Sequence, residues 1–243
     1  MDSGVNIILN GSAETVTIDA DAKFSRSINH YMSSNPGINM FRKVMWSKPQ
    51  QWHLDLSSKN MTLVERTITV VFFCGLTSIC AQLAFSVPWT PVPYTFQTFA
   101  VLATGVYLRR NDAFASGCLY LLIGAFGAPV FAEGGDQLIT GGKLIASGGY
   151  LLAFPLASAL VAEGLDRSRK LGIPDIKSQF ICWVCAMIPV YVFGTLWLAE
   201  SYDVDFNQAF VWGVKPFLIW DLVKIIAMAI ITVKVWSYST QDN

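Results

Sequence analysis

The chain has 243 residues, of which 53% are hydrophobic and only 14% charged, against roughly 25% charged in soluble domains. That shortage of polar surface excludes an ordinary soluble globule and assigns most of the chain to lipid. Lys plus Arg equals Asp plus Glu at 17 each, so there is neither a basic excess of the kind that serves nucleic acid nor an acidic tail.

Residues 1–60 are rich in Ser, Asn and Asp and read as a flexible cytoplasmic N-terminal tail. They lack the basic start and apolar core of a cleavable signal. Phe41, Val44, Met45 and Trp46, interleaved with Arg42, Lys43 and Lys48, suit a short helix at the headgroup level.

Residues 61–240 read as one membrane domain. Apolar runs near 64–85, 95–108, 113–131, 148–163, 179–198 and 217–236 predict an all-α membrane protein, a six-transmembrane-helix bundle. The second and fourth runs are short for a full crossing, so they are expected to extend into loops or to lie inside the bundle. Basic residues orient the chain, because translocated loops are poor in Lys and Arg. With the tail inside, Arg109, Arg110, Arg167, Arg169, Lys170 and Lys177 also face the cytoplasm, and the outward loops hold only Lys143 and Lys215. Both termini are then cytoplasmic, and plasma membrane is the default location.

Between the first two runs lies Val87-Pro-Trp-Thr-Pro-Val-Pro-Tyr-Thr95. Three prolines remove backbone donors and forbid helix, so an extended outer loop is expected, stiff enough to fold over a cavity. After 124–131 the chain is glycine-rich, through Gly134-Gly135, Gly141-Gly142 and Gly148-Gly149. These pairs permit close approach of a ligand or another helix. They follow a membrane span and lack the spacing and acidic partner of a dinucleotide site.

Asp221 and Lys224 lie three apart at the head of the last run, among apolar residues. That spacing puts them on one helical face, able to pair. Ionisable groups at membrane depth are costly, so the pair reads as a functional site by default, the alternatives being an internal ion pair that fixes helix packing or a Lys that snorkels to the surface. The five cysteines all fall inside apolar runs, where thiols act as small hydrophobes, so Cys182 and Cys185 are assigned no redox role. An intramembrane enzyme using Asp221 as base would lack a third convergent group, and His30 and His53 lie outside every run.

Four segments in order carry a resemblance. They are Val87-Pro-Trp-Thr-Pro-Val-Pro-Tyr-Thr-Phe-Gln97, then Tyr120-Leu-Leu-Ile-Gly-Ala-Phe-Gly-Ala-Pro-Val-Phe131, then Gly148-Gly-Tyr-Leu-Leu-Ala-Phe-Pro155, and Lys215-Pro-Phe-Leu-Ile-Trp-Asp-Leu-Val-Lys224. Over residues 64–236 the sequence resembles the BioY family, the biotin-specific substrate-binding subunits of energy-coupling-factor transporters. It departs from that family at Ile145, Ala146 and Ser147, where Gly-Pro-Thr is usual.

The resemblance implies high-affinity capture of biotin from outside as the substrate-binding subunit, with no ATPase or cofactor of its own. It also implies a transmembrane coupling subunit and two ATPases as partners. Thr77 and Ala81, at small-xxx-small spacing, are the expected face for such a partner. In the binding pocket, Asp221 is expected to accept from the ureido N–H groups, with Lys224 balancing its charge or donating to a ligand oxygen. Trp89, Tyr94 and Tyr150 supply flat apolar area for the bicycle. Lys143, Ser147 or glycine-loop N–H groups serve the valerate carboxylate. Gln97, Gly149 and Asp136 fall within or beside the matched motifs and complete the expected binding set. A relative that captures thiamine or riboflavin on the same architecture is the alternative.

Overall fold

The computed structural model describes residues 61–132, 139–140, 143–172 and 175–237, and α-helices dominate them. The expected tail, 1–60, lies outside the described residues. In chain order the elements are α1 (Leu63–Gln82), β1 (Ala84–Val87), β2 (Thr90–Thr95), α2 (Gln97–Tyr107), α3 (Arg110–Ala125), β3 (Ile139–Thr140), β4 (Lys143–Leu144), α4 (Gly148–Lys170), α5 (Asp175–Tyr202), α6 (Phe206–Gly213) and α7 (Lys215–Ser237).

Helix α1 starts at a reciprocal cap: Thr62 accepts from the Glu65 amide at 3.3 Å while Glu65 accepts from the Thr62 amide at 2.8 Å. Among the described residues, three helical stretches are both long and apolar enough to cross a membrane: Leu63–Gln82, Gly148–Lys170 and Lys177–Tyr202. Helix α2, with 11 residues, rises about 16 Å, half of the roughly 30 Å hydrocarbon core. Its residues from Ala100 to Val106 are all buried, as expected for a short run inside the bundle.

The fourth run is longer than its apolar window suggested. Helix α4 continues to Lys170 because i,i+4 pairs, Glu163–Arg167 at 2.8 Å and Asp166–Lys170 at 2.6 Å, support its charged end. The third run is shorter. Helix α3 stops at Ala125, Gly127 takes a positive φ of 90°, and the chain turns back so that Phe131 packs edge-on against Tyr120.

The proline-rich segment is a correction. Instead of a plain extended loop it forms an antiparallel hairpin, β1 with β2, pairing Ala84 with Thr95 and Val87 with Thr90 around a bulge. Pro91 and Pro93, two apart, share one side of β2, and a two-stranded ribbon leaves one side of each strand without ladder bonds. Burial alternates along β2, with Thr90, Val92 and Tyr94 turned inward.

Helix α4 is the hub, packing on α2, α3 and α5. Of its most apolar 18-residue stretch 72% is buried, against 28% for α1, so α1 is peripheral. At its first turn α1 is held to α3 by Arg66, whose Nε donates to both Asp112 oxygens at 3.1 Å and whose Nη2 reaches Oδ1 at 2.6 Å. The five cysteines are free thiols, and Cys185 is exposed on the helix surface.

Candidate functional site

A cavity of about 50 Å³ opens between the hairpin and the bundle, narrower than the roughly 300–1,000 Å³ of small-molecule sites, so a ligand seated there has to part its walls. Its walls come from β2, the first turn of α2, the first two turns of α4, the middle of α5 and the head of α7. Apolar side chains such as Val92, Phe154, Val190 and Phe217 line most of it, and a few polar groups converge at one end.

That end is built around Asp221 and Lys224, 6% and 4% exposed. They form the expected ion pair on one helical face, through Lys224 Nζ and Asp221 Oδ1. Lys224 Nζ also donates to the Thr95 carbonyl at 3.1 Å and to Thr98 Oγ1. Thr98 Oγ1 donates to Asp221 Oδ1 at 3.0 Å, and the Tyr191 hydroxyl donates to Oδ2 at 2.5 Å. The pair is therefore desolvated, and the ammonium and both carboxylate oxygens each have hydrogen-bond partners, the condition under which buried charges are tolerated. The indole of Trp220 donates to the same Thr95 carbonyl at 3.3 Å, and its ring lies 5.9 Å from the ammonium.

Gln97 is buried in the wall beside this cluster. Its Nε2 donates to the Tyr120 hydroxyl at 2.5 Å, Tyr120 donates onward to the Val130 carbonyl at 3.0 Å, and Thr95 Oγ1 donates to Gln97 Oε1 at 3.0 Å. These bonds hold the amide plane fixed. Tyr150 lines the cavity with its hydroxyl donating to the Gly213 carbonyl at 3.0 Å. Ser147 also lines it, at the start of α4.

Other expected residues stand elsewhere. Tyr94 is 8% exposed, stacked on Phe85 at 5.0 Å and against Phe217 at 4.6 Å, with its hydroxyl donating to the Pro216 carbonyl. It fastens the hairpin to α7 behind the cavity wall. Trp89, at the hairpin tip, is 61% exposed and lines a separate outer groove with Tyr202 and Trp212. Gly149 faces α5, where an added Cβ would collide with the Phe193 carbonyl and Trp197; it sets helix packing instead of touching the cavity. Thr77 and Ala81 are 5% and 0% exposed, turned into the chain's own bundle, so a partner helix has no access to them. Asp136 and the side chain of Lys143 lie outside the described residues.

Sequence reasoning missed Thr98 and Tyr191. The rule that a hydroxyl within an apolar run must find an acceptor does not say which acceptor it finds.

Comparison with known proteins gives four findings. Residues 50–241 match the sequence model of the BioY family. The probable biotin transporter BioY of Pyrococcus horikoshii is 37% identical over 164 residues, covering 67% of this chain and 90% of that protein. The biotin transporter BioY2 of Lactococcus lactis is 33% identical over 158 residues, covering 64% and 82%. In three dimensions the chain resembles the crystal structure of the S-component for biotin from an ECF-type ABC transporter, with a TM-score of 0.64 at 20% identity over 77% of this chain and 97% of that one. At that identity the likeness establishes the fold.

Proposed function

The chain belongs to the BioY family, and from that premise we propose that it is a transporter subunit, without catalytic activity, that captures biotin in the cavity beneath the hairpin. The observation that carries the reading is the buried, hydrogen-bonded Asp221–Lys224 pair in the cavity wall. The head of biotin is a cyclic urea with two N–H donors. Among the described residues Asp221 Oδ2 accepts only from Tyr191, and a carboxylate oxygen has room for a second donor. A ligand N–H placed there makes a charge-assisted bond, about twice as strong as a neutral one. Gln97 and Tyr150 frame the bicycle, and Ser147 at the start of α4 serves the carboxylate end, where an anion is favoured at a helix N-terminus.

In this reading α1 to α5 and α7 make up a six-helix membrane bundle, with the short α2 held inside it, and α6 is a short outer helix. Helices α2 and α4 run from the cavity toward a polar cleft that holds Arg109, Arg110, Arg169 and Lys170. Those basic residues belong on the cytoplasmic side, which turns the cavity outward and leaves both termini inside a plasma membrane. Energy comes from a coupling subunit and two ATPases. The coupling subunit meets α1 on its exposed side, which carries Val71, Phe72 and Ile79, instead of at Thr77 and Ala81.

Equilibrium binding of labelled biotin to the purified chain, with desthiobiotin, thiamine and riboflavin as competitors, tests this directly. Biotin-selective binding is expected. Displacement by thiamine or riboflavin but not by desthiobiotin would transfer the chain to another vitamin.

A further inference from the structure

We infer that Lys224 is a built-in counter-cation that sets the charge of the ligand head, admitting an uncharged N–H-bearing head and turning cationic heads away. The inference rests on the reading of Asp221 as acceptor for the ligand's N–H groups and adds to it a specificity-determining role for Lys224.

An ammonium has three N–H donors, and Lys224 Nζ has three partners: the Thr95 carbonyl at 3.1 Å, Thr98 Oγ1 and Asp221 Oδ1. No donor remains for a ligand unless one of these bonds breaks. Asp221 is different. Its Oδ1 takes Thr98 and Lys224, and its Oδ2 takes Tyr191, so among the described residues one of about four acceptor positions on the carboxylate is open. The pair thus offers the cavity an acceptor while its net charge is zero.

Among the described residues, Asp221 and Lys224 are the only charged side chains lining the cavity. A cationic head reaching for Asp221 meets the ammonium already there, in surroundings where water screens little. A neutral cyclic urea meets no such opposition. This is discrimination by a repulsive element placed inside the site. Removing the ammonium while keeping its alkyl stem leaves Asp221 as an uncompensated buried carboxylate, and a cationic head then supplies the missing charge.

The experiment uses the full chain in detergent, wild type and Lys224→Met, with biotin and 2-iminobiotin at neutral pH. In 2-iminobiotin a cyclic guanidinium replaces the urea. Wild type is expected to prefer biotin. In Lys224→Met the ratio of the two Kd values shifts toward 2-iminobiotin by on the order of tenfold or more, equivalent to about 1.4 kcal/mol. That variant's melting temperature also rises more with 2-iminobiotin than with biotin. The double variant Asp221→Asn with Lys224→Met carries no buried charge and is expected to lose the gained preference.

Equal binding of both compounds by wild type, or an equal loss for both in Lys224→Met, overturns the inference. If Lys224→Met is recovered folded only when produced with 2-iminobiotin, the inference is supported; rescue by neither compound, or by biotin alone, counts against it. Wild type that binds no biotin at all defeats the proposed function itself, so the two failures are told apart.

Discussion

At Asp221 two hydroxyls, those of Thr98 and Tyr191, decide how the carboxylate is presented. Replacing Asp221 by Asn removes the charge that strengthens a ligand N–H bond. It is expected to weaken biotin binding about 10- to 100-fold, the equivalent of the roughly 1.5–3 kcal/mol assigned to hydrogen bonds with a charged partner. A folded Asp221→Asn protein with unchanged affinity in equilibrium binding would remove Asp221 from the site. Tyr191→Phe keeps the ring and deletes one donor, which should cost about 1–3 kcal/mol of stability in detergent denaturation. Asp221 and Lys224 were legible from the sequence because two charges three apart in an apolar run stand out against their cost. Thr98 and Tyr191 were not, because hydroxyls are frequent in membrane helices and satisfy themselves on the preceding turn, as Thr77 does on the Phe73 carbonyl at 3.0 Å.

The hairpin shows the same division among elements. Three prolines in nine residues announced a stiff, non-helical segment between the first two helices. The pairing of β1 with β2 depends on Ala84 and Phe85, which the apolar pattern assigned to the end of the first span. The aromatic roles divided accordingly. Tyr94 is clamped between Phe85 and Phe217, so Tyr94→Ala is expected to free the hairpin, cost about 3–5 kcal/mol of stability and speed biotin release in a dissociation assay. Trp89 points to an outer groove, and Trp89→Ala should change biotin affinity by no more than about 0.5 kcal/mol. A larger loss would place Trp89 on the ligand path. Gly149 belongs to the same scale. Its value lies in the close contact of α4 with α5, so Gly149→Leu is expected to lower stability by about 1–3 kcal/mol through overpacking, visible as a lower melting temperature even without ligand.

For the whole molecule, the distribution of basic residues fixes the expected orientation, with the Arg109–Arg110 and Arg169–Lys170 cleft inside and the cavity outside. Single cysteines introduced at Lys215 and Lys170, in a background where the five native cysteines are replaced, should react with an impermeant maleimide on intact cells only at position 215. The reverse pattern would invert the protein. By itself the sequence determined that the chain is a helical membrane protein, which of its residues are charged at membrane depth, and which family motifs it carries, since each of these is a local property of composition or of spacing along one segment. Which side chains meet was decided by the tertiary structure. Thr98 on α2 and Tyr191 on α5 reach Asp221 on α7 across 123 and 30 residues of chain, and Thr77 and Ala81 face inward because α1 turns that side to the bundle. Contacts between helices far apart in sequence depend on how each helix is rotated and on what packs beside it, and no spacing within a single helix encodes that.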